Sequence, residues 1–204
     1  MKKLSIVSLV VFLIAMAILP HLLDPRWQTV AVTFLVFSVV ALSQDIVLGK
    51  AGMFNMGQAM FFGMGAYVTA ILNSHFGWPI VATIPVAILA PVMFGILLSA
   101  PIVHLRGDYL LVVTIGFNIV FVQVLINNLG GVTGGPNGIF GIDPMRLFGF
   151  ELSSQVAIYY YAFAVLLLTL AIMFNLEKSK VGRALHYLRE DSLAAESIGI
   201  NTRL

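Results

Sequence analysis

Residues 48–67 read LGKAGMFNMGQAMFFGMGAY, and this stretch decides how the rest of the chain is interpreted. It carries five glycines, a lysine and two amides, whereas the sequence on either side is almost wholly apolar. Each glycine weakens a helix by about 1 kcal/mol relative to alanine, so Gly49, Gly52 and Gly57 together predict broken backbone. Asn55 and Gln58 add amides that are costly to leave unpaired in lipid.

The composition places the chain in a membrane. It is 60% hydrophobic and 10% charged, whereas soluble domains are about 45–50% apolar and about 25% charged. The absence of cysteine excludes disulfides, a thiolate nucleophile and a cysteine–zinc site. The pI near 9.0 indicates basic residues held on the cytoplasmic side, so no nucleic-acid partner is predicted.

Apolar runs predict an all-α integral membrane protein, a polytopic helical bundle with about six spans and one interrupted or re-entrant segment. A span needs about 20 mostly apolar residues. The N-terminal run resembles a signal peptide, but it continues through Ile18 and Leu19, which favours an uncleaved first span. The fourth run contains three prolines, which predict a kink or tilt. The predicted spans are residues 4–19, 29–48, 58–72, 79–103, 109–127 and 156–174.

Basic residues predict the orientation. With the N-terminus inside and six alternating spans, only Arg26 and Arg146 of the 11 basic residues lie outside. The reverse orientation inverts this ratio, so the positive-inside rule favours a cytoplasmic N-terminus and a cytoplasmic tail. The predicted domains are therefore a membrane domain, residues 1–175, and a cytoplasmic segment, residues 176–204.

Polar residues inside the spans predict a substrate pathway. Broken backbone is tolerated at membrane depth only against protein or a water-filled cavity, and an interrupted segment is typical of a substrate site in transporters. Thr114 and Asn118 lie four apart on one helical face, where they either line a pore or form interhelical hydrogen bonds. The candidate pathway residues are Asn55, Gln58, Thr114 and Asn118.

The loop over residues 128–155 is predicted to lie outside. Its sequence GGPNG is turn chemistry, because proline presets φ while asparagine and glycine tolerate positive φ. The loop forms either a gate or re-entrant segment, or an ordinary extracellular turn. The candidate gate residues are Thr133, Gly134, Gly135, Pro136, Asn137 and Gly138.

The charged tail, residues 176–204, predicts two short amphipathic helices on the cytoplasmic side. Such helices either lie on anionic lipid or dock a protein. The mixed signs of the charges favour a protein.

Three motifs carry a family resemblance. VGRALHYLREDSLAAESIGIN, residues 181–201, resembles the cytoplasmic coupling segment of the branched-chain amino-acid (LivM-type) permeases of ABC transporters. Its small residues and glycine follow the general permease signature, although Leu193 stands where that signature has glutamate. VLGKAGMFNMGQAMFFGMGAY, residues 47–67, and LRGDYLLVVTIGF, residues 105–117, followed by GVTGGPNGI, residues 131–139, resemble the same family in order and spacing.

The resemblance implies one half of a heterodimeric importer pore in a bacterial inner membrane. Its partners would be two cytoplasmic ATPase subunits, a second permease subunit, an extracytoplasmic substrate-binding protein and the lipid bilayer, and no cofactor is implied. The coupling helix would contact the ATPases. Family members continue through further spans, so the chain is expected to be shortened at its C-terminus; related permeases carry leucine, isoleucine or valine, or else urea, amides or other amino acids. The implied coupling residues are Arg183, Arg189, Glu190, Asp191, Ala194, Ala195 and Gly199.

Three other classes compete with the importer. An ATPase-independent channel or carrier calls for buried carboxylates or histidines, and only Asp45 qualifies; it either lines the pathway, pairs with Lys50 or reaches water. An enzyme is disfavoured because the spans contain no nucleophile–base pair, carboxylate pair or metal cluster, and the chain has no Walker motif. A truncated or non-transporting membrane subunit is the third alternative.

Overall fold

The computed structural model of the chain describes residues 13–102, 108–147 and 150–190. Within these residues the backbone is mainly helical, as predicted. A short antiparallel ladder, in which Arg146 pairs with Glu151 and their side chains lie 3.6 Å apart, is an exception. The elements in chain order are α1 (Leu13–Leu22), α2 (Pro25–Gln44), α3 (Gln58–Phe76), α4 (Ile80–Ile102), α5 (Asp108–Ile126), β1 (Arg146–Leu147), β2 (Phe150–Glu151), α6 (Gln155–Lys178) and α7 (Lys180–Glu190).

Four helical segments of the described chain are long and apolar enough to cross a membrane: Pro25–Lys50, Ile80–Ser99, Tyr109–Ile126 and Gln155–Lys178. They correspond to four of the predicted spans. Helix α3 is 19 residues long but is not among them, and the described part of α1 is the shorter apolar helix Leu13–Leu22. The count of six spans therefore stays a prediction.

Local sequence explains where the helices begin and end. Helix α2 begins at Pro25, whose fixed φ and missing N–H suit the first helical position. Helix α3 ends at Gly77, which has a left-handed φ of 66° and donates its N–H to the Asn73 carbonyl at 3.0 Å. Glycine is favoured there because it has no Cβ to clash in the left-handed region.

The chain divides into two compact units, and the first comprises residues up to Leu42 together with Leu152–Met173. Its core is formed by Leu35, Tyr159, Ala162 and Phe163. The Tyr159 hydroxyl donates to the Met16 carbonyl at 2.7 Å. Residue 20 is proline and has no N–H, so it cannot supply the i→i−4 hydrogen bond to Met16. Tyr159 satisfies the carbonyl that the proline leaves open.

Replacing Tyr159 with phenylalanine is expected to lower the free energy of unfolding by about 1–3 kcal/mol, because the partly buried Met16 carbonyl loses its donor. Thermal unfolding in detergent measures the change. Tyr161→Phe is the matched control, since Tyr161 is partly exposed and has no hydrogen-bond partner among the described residues. Equal midpoints for the two variants would contradict the assigned role of the Tyr159 hydroxyl.

The second unit comprises Ser43–Glu151 together with the residues from Phe174 onward. Helix α3 packs against both α4 and α5. A Cβ added at Gly65 would lie 3.4 Å from the Ala87 carbonyl oxygen of α4, and one added at Gly63 would lie 3.1 Å from the Phe121 ring of α5. The two glycines therefore permit the close approach of the neighbouring helices, and they place α3 where its first residues can meet α5.

Candidate functional site

The helical backbone stops at Lys50 and resumes at Gln58, as the glycines predict. We call residues 51–57 the break. Helix α2 is followed by a π-helical turn, Asp45–Lys50, after which the Ala51 N–H bonds to the Ile46 carbonyl at 3.1 Å. The chain then reverses at Gly52, whose φ of 68° favours glycine. Beyond it the backbone has no helical ladder, so its polar groups need partners from side chains.

Asn55 supplies one such partner within the break. Its Oδ1 accepts the Gly57 N–H at 2.7 Å, which pairs one of the free N–H groups at the start of α3. Its backbone carbonyl accepts from Gln44 Nε2 at 2.5 Å. Gly57 is buried, and a Cβ there would lie 3.0 Å from Asn55 Oδ1. The glycine therefore leaves room for the asparagine to bond close to the backbone.

Thr114 connects the break to α5. Its Oγ1 accepts the Met56 N–H at 3.0 Å and donates to the Leu111 carbonyl at 3.0 Å, and the residue is buried. Gln58 Nε2 donates to Ser43 Oγ of α2 at 2.5 Å. Asn118 lies one turn beyond Thr114, is half-buried, and bonds to none of these groups. Three of the four predicted pathway residues therefore lie at one junction of helices, and Asn118 extends it along α5.

Gln44 belongs to this site, although the sequence reasoning overlooked it. It is the last residue of α2, and its Oε1 is buried without a hydrogen-bond partner in the described chain. The available signal was an amide at the end of a predicted span, directly before Asp45. Asp45 itself is exposed, and Lys50 pairs with Glu177 at 3.3 Å. The alternative in which Lys50 pairs with Asp45 is wrong, because Glu177 at the end of α6 takes the lysine.

The predicted gate residues lie in a hydrogen-bonded turn after α5. Asn128, with a left-handed φ of 48°, accepts at Oδ1 from the backbone N–H groups of Thr133 and Gly134, both at 3.0 Å. The Thr133 hydroxyl is buried, 2.9 Å from the Leu125 carbonyl. A 3₁₀ turn follows over Gly135–Asn137, with Pro136 in its first positions. It ends at Gly138, whose φ is 73°.

A second amide that the sequence reasoning missed holds the far side of this loop. Asn73 of α3 is 3% exposed. Its Oδ1 accepts the Asp143 N–H at 2.8 Å, and its Nδ2 donates to the Trp78 carbonyl at 2.8 Å. His75 Nε2 also lies 3.1 Å from the Val132 carbonyl. The loop is therefore attached to the last turn of α3 by the side chains of Asn73 and His75. An amide shortly before Gly77 was the only sequence signal for this attachment.

The first part of the charged tail is the helix α7, Lys180–Glu190. Arg183 Nη1 donates to the Lys178 carbonyl at 2.9 Å within the same segment. Arg189 Nη1 donates to the Gly49 carbonyl at 2.5 Å, which brings the end of α7 to the end of the π-helical turn. Glu190 closes the helix. The remaining predicted coupling residues, Asp191, Ala194, Ala195 and Gly199, and the second predicted helix lie outside the described residues.

A search of protein families matches residues 27–204 to one described as "Branched-chain amino acid transport system / permease component". The chain belongs to this family. It is 33% identical over 225 residues to the high-affinity branched-chain amino acid transport system permease protein LivM of Escherichia coli (strain K12), an alignment that covers 99% of this chain and 52% of that protein.

The LivM permease protein of Salmonella typhimurium (strain LT2) is 32% identical over 223 residues, with 98% of this chain and 52% of that protein covered. The chain thus spans about half the length of the curated relatives it matches. No solved structure matches. Family membership and the four long apolar helices make the chain a multi-pass membrane protein.

In a permease of this family, the break offers hydrogen-bonding groups and no reactive ones. Asn55, Gln58, Thr114 and Gln44 contribute amides, a hydroxyl and backbone groups. Within the described ranges no cluster of three or more histidine, aspartate or glutamate side chains could hold a metal ion. Neutral groups of this kind can exchange hydrogen bonds with a passing polar solute and hold the helix ends in place.

Proposed function

We propose that the chain is the permease subunit of an ATP-binding-cassette importer that moves branched-chain amino acids across the inner membrane. The observation that carries the proposal is the family match over residues 27–204. The two relatives are named as permease proteins of high-affinity branched-chain amino acid transport systems, which supports leucine, isoleucine or valine as the substrate.

The proposed pathway passes the break. Asn55, Gln58 and Thr114 would present amide and hydroxyl groups to the substrate as it crosses the junction of α2, α3 and α5, and Asn118 would extend the polar surface along α5. Contact need be only weak, because a transported solute must leave the site as readily as it enters. The turn that holds Thr133 and Gly134 would close the outer end.

The proposed energy source is a pair of separate cytoplasmic ATPase subunits, and an extracytoplasmic binding protein would deliver the substrate. A second permease subunit would complete the pore. The N-terminus and residues 176–204 would face the cytoplasm, beneath a membrane domain of residues 1–175 with six spans. Closure of the ATPases on nucleotide would move α7 and rock the spans between inward-open and outward-open states. The proposed ATPase contacts are Arg183, Arg189, Glu190, Asp191, Ala194, Ala195 and Gly199.

Affinity purification of the tagged chain from its native membrane is expected to recover two ATPase chains and a second permease. In proteoliposomes, the purified assembly should take up leucine only when two conditions are met. ATP must be on the side of the membrane that carries the ATPase subunits, and the binding protein must be on the opposite side. A non-hydrolysable ATP analogue is the matched control. Uptake that persists with the analogue would support an ATPase-independent channel or carrier and contradict the proposal.

A further inference from the structure

Three contacts join the α6–α7 end of the chain to the residues around the break. The Arg189 guanidinium donates to the Gly49 carbonyl at 2.5 Å, and Lys50 pairs with Glu177 at 3.3 Å. Gly52 packs against the Arg189 side chain. Arg189 and Gly49 are 140 residues apart in sequence. All of them belong to the same compact unit.

The Gly49 carbonyl is a natural acceptor for a cation. It lies in the last turn of the π-helical segment, where the final carbonyls of a helix have no donor of their own. These carbonyls also carry the negative end of the helix dipole, so a guanidinium there is favourable. A hydrogen bond from a charged donor is stronger than one between neutral groups. Arg189 therefore holds the end of α2 more firmly than a neutral side chain would.

Gly52 lies directly against the side chain of the same arginine. Its φ of 68° belongs to the left-handed region, which side chains other than glycine rarely adopt. A Cβ added there would lie 2.8 Å from Cγ and 3.4 Å from Cβ of Arg189. The backbone of the break thus lies directly against the stem of the arginine, while the guanidinium bonds three residues earlier.

The ion pair between Lys50 and Glu177 adds a second attachment between the same two regions. The Lys50 side chain is 21% exposed and that of Glu177 is 66% exposed, so solvent screens the pair and weakens it. The hydrogen bond from Arg189 is exposed as well, but the stem of this arginine also lies against Gly52. We therefore assign the main attachment to Arg189, with the ion pair restricting how the end of α6 lies beside the π-helical turn.

We propose that Arg189 is a positioning residue that fastens α7 to the break, so that the two move as one body when α7 is displaced. Asn55 lies three residues beyond Gly52, and it in turn bonds to Gln44 and Gly57. Displacement of α7 would therefore shift the groups proposed to line the pathway through the Arg189 side chain and the short backbone segment that follows Gly52. The inference rests on the proposed function, because it assigns α7 the movement that the ATPases supply.

The first test compares Arg189→Gln with Lys180→Gln in the assembled importer. Both variants remove one positive charge from α7, but Lys180 is exposed and contacts no described residue of the break. Arg189→Gln is expected to lower leucine uptake roughly tenfold, the range of a typical coupling between two sites. Arg183→Gln removes another proposed ATPase contact, but its guanidinium bonds to the Lys178 carbonyl and not to the break, so it should lower uptake less. Lys180→Gln should leave uptake unchanged. Uptake by Arg189→Gln equal to that of Lys180→Gln would overturn the inference.

The second test replaces the arginine contact by a covalent one. The chain has no native cysteine, and the separation of 3.4 Å between a Cβ at Gly52 and Cβ of Arg189 is close to that found in disulfides, about 3.5–4.5 Å. The variant Gly52→Cys with Arg189→Cys should transport poorly when reduced and recover when oxidised. A side chain at residue 52 strains the backbone in the reduced and the oxidised variant alike, so this strain cannot explain a recovery of leucine uptake on oxidation.

The outcomes separate the two proposals. A disulfide that forms without restoring uptake would overturn the role of Arg189 while leaving the parent importer active. An unmodified assembly that shows no ATP-dependent leucine uptake would instead overturn the proposed function, and the role of Arg189 with it.

Discussion

Replacing Asn55 and Gln58 together with alanine is expected to lower leucine uptake by roughly tenfold or more, since leaving a buried N–H unpaired costs about 1–3 kcal/mol. Alanine at residue 55 removes the acceptor of the Gly57 N–H, and alanine at residue 58 removes the donor to Ser43. Both losses fall at the junction of α2, α3 and α5. The break would no longer hold the geometry in which its polar groups face the substrate.

Assembly of this double variant with its partners should be unaffected, because neither side chain contributes to the apolar core. Copurification of the ATPase chains and second permease measures assembly, and radiolabelled leucine uptake measures transport. The double variant Gln123→Ala with Asn127→Ala is the matched control, since it removes the same two amide types from exposed positions of the chain. Uptake within about twofold of the parent in the Asn55 and Gln58 variant would show that the break does not line the pathway.

Replacing Gly134 with alanine is expected to lower the free energy of unfolding by about 2–4 kcal/mol and to abolish uptake, since a strained backbone and a steric clash act together. The φ of Gly134 is 72°, a value that disfavours any side chain. A Cβ there would also collide with the Gly138 carbonyl oxygen. That oxygen belongs to the backbone, so it cannot move aside as a side chain would, and the turn from Thr133 to Gly138 must rearrange.

The chain offers a closely matched control for this prediction. Gly131 has the same φ of 72°, but a Cβ added there meets nothing within 4 Å. Gly131→Ala should therefore cost only the conformational strain, about 1–2 kcal/mol. Thermal unfolding in detergent and leucine uptake measure both variants. If Gly134→Ala and Gly131→Ala unfold at the same midpoint, the contact with the Gly138 carbonyl does not constrain the loop.

The break could be predicted from the sequence because its signals are local. Gly49, Gly52 and Gly57 lower helix propensity wherever they stand, and their spacing located the ends of α2 and α3 to within a few residues. Proline and glycine likewise marked the turn after α5. The apolar runs could be recognised for the same reason, because each is a local feature of the sequence. The number of spans and their orientation depend on a bilayer and stay predictions.

The partners of polar side chains could not be predicted, because they come from distant parts of the chain. Asn73 meets Asp143 across 70 residues, and Thr114 meets Met56 across 58. Nothing near Arg189 in sequence indicates that it reaches Gly49. Proximity in sequence made Asp45 one possible partner of Lys50, whereas the folded chain offers Glu177. Residue types therefore identified the candidate site, and only the tertiary structure identified its connections.

The hydrogen bond between Tyr159 and Met16 has a consequence for how the protein is made. The donor lies 143 residues after the acceptor, and ribosomes add about 5–20 residues each second. Helix α1 must therefore wait on the order of ten seconds during synthesis before its open carbonyl meets the tyrosine. Until then water or the insertion machinery has to hydrogen-bond to that carbonyl, so α1 completes its backbone hydrogen bonds only after α6 has been made.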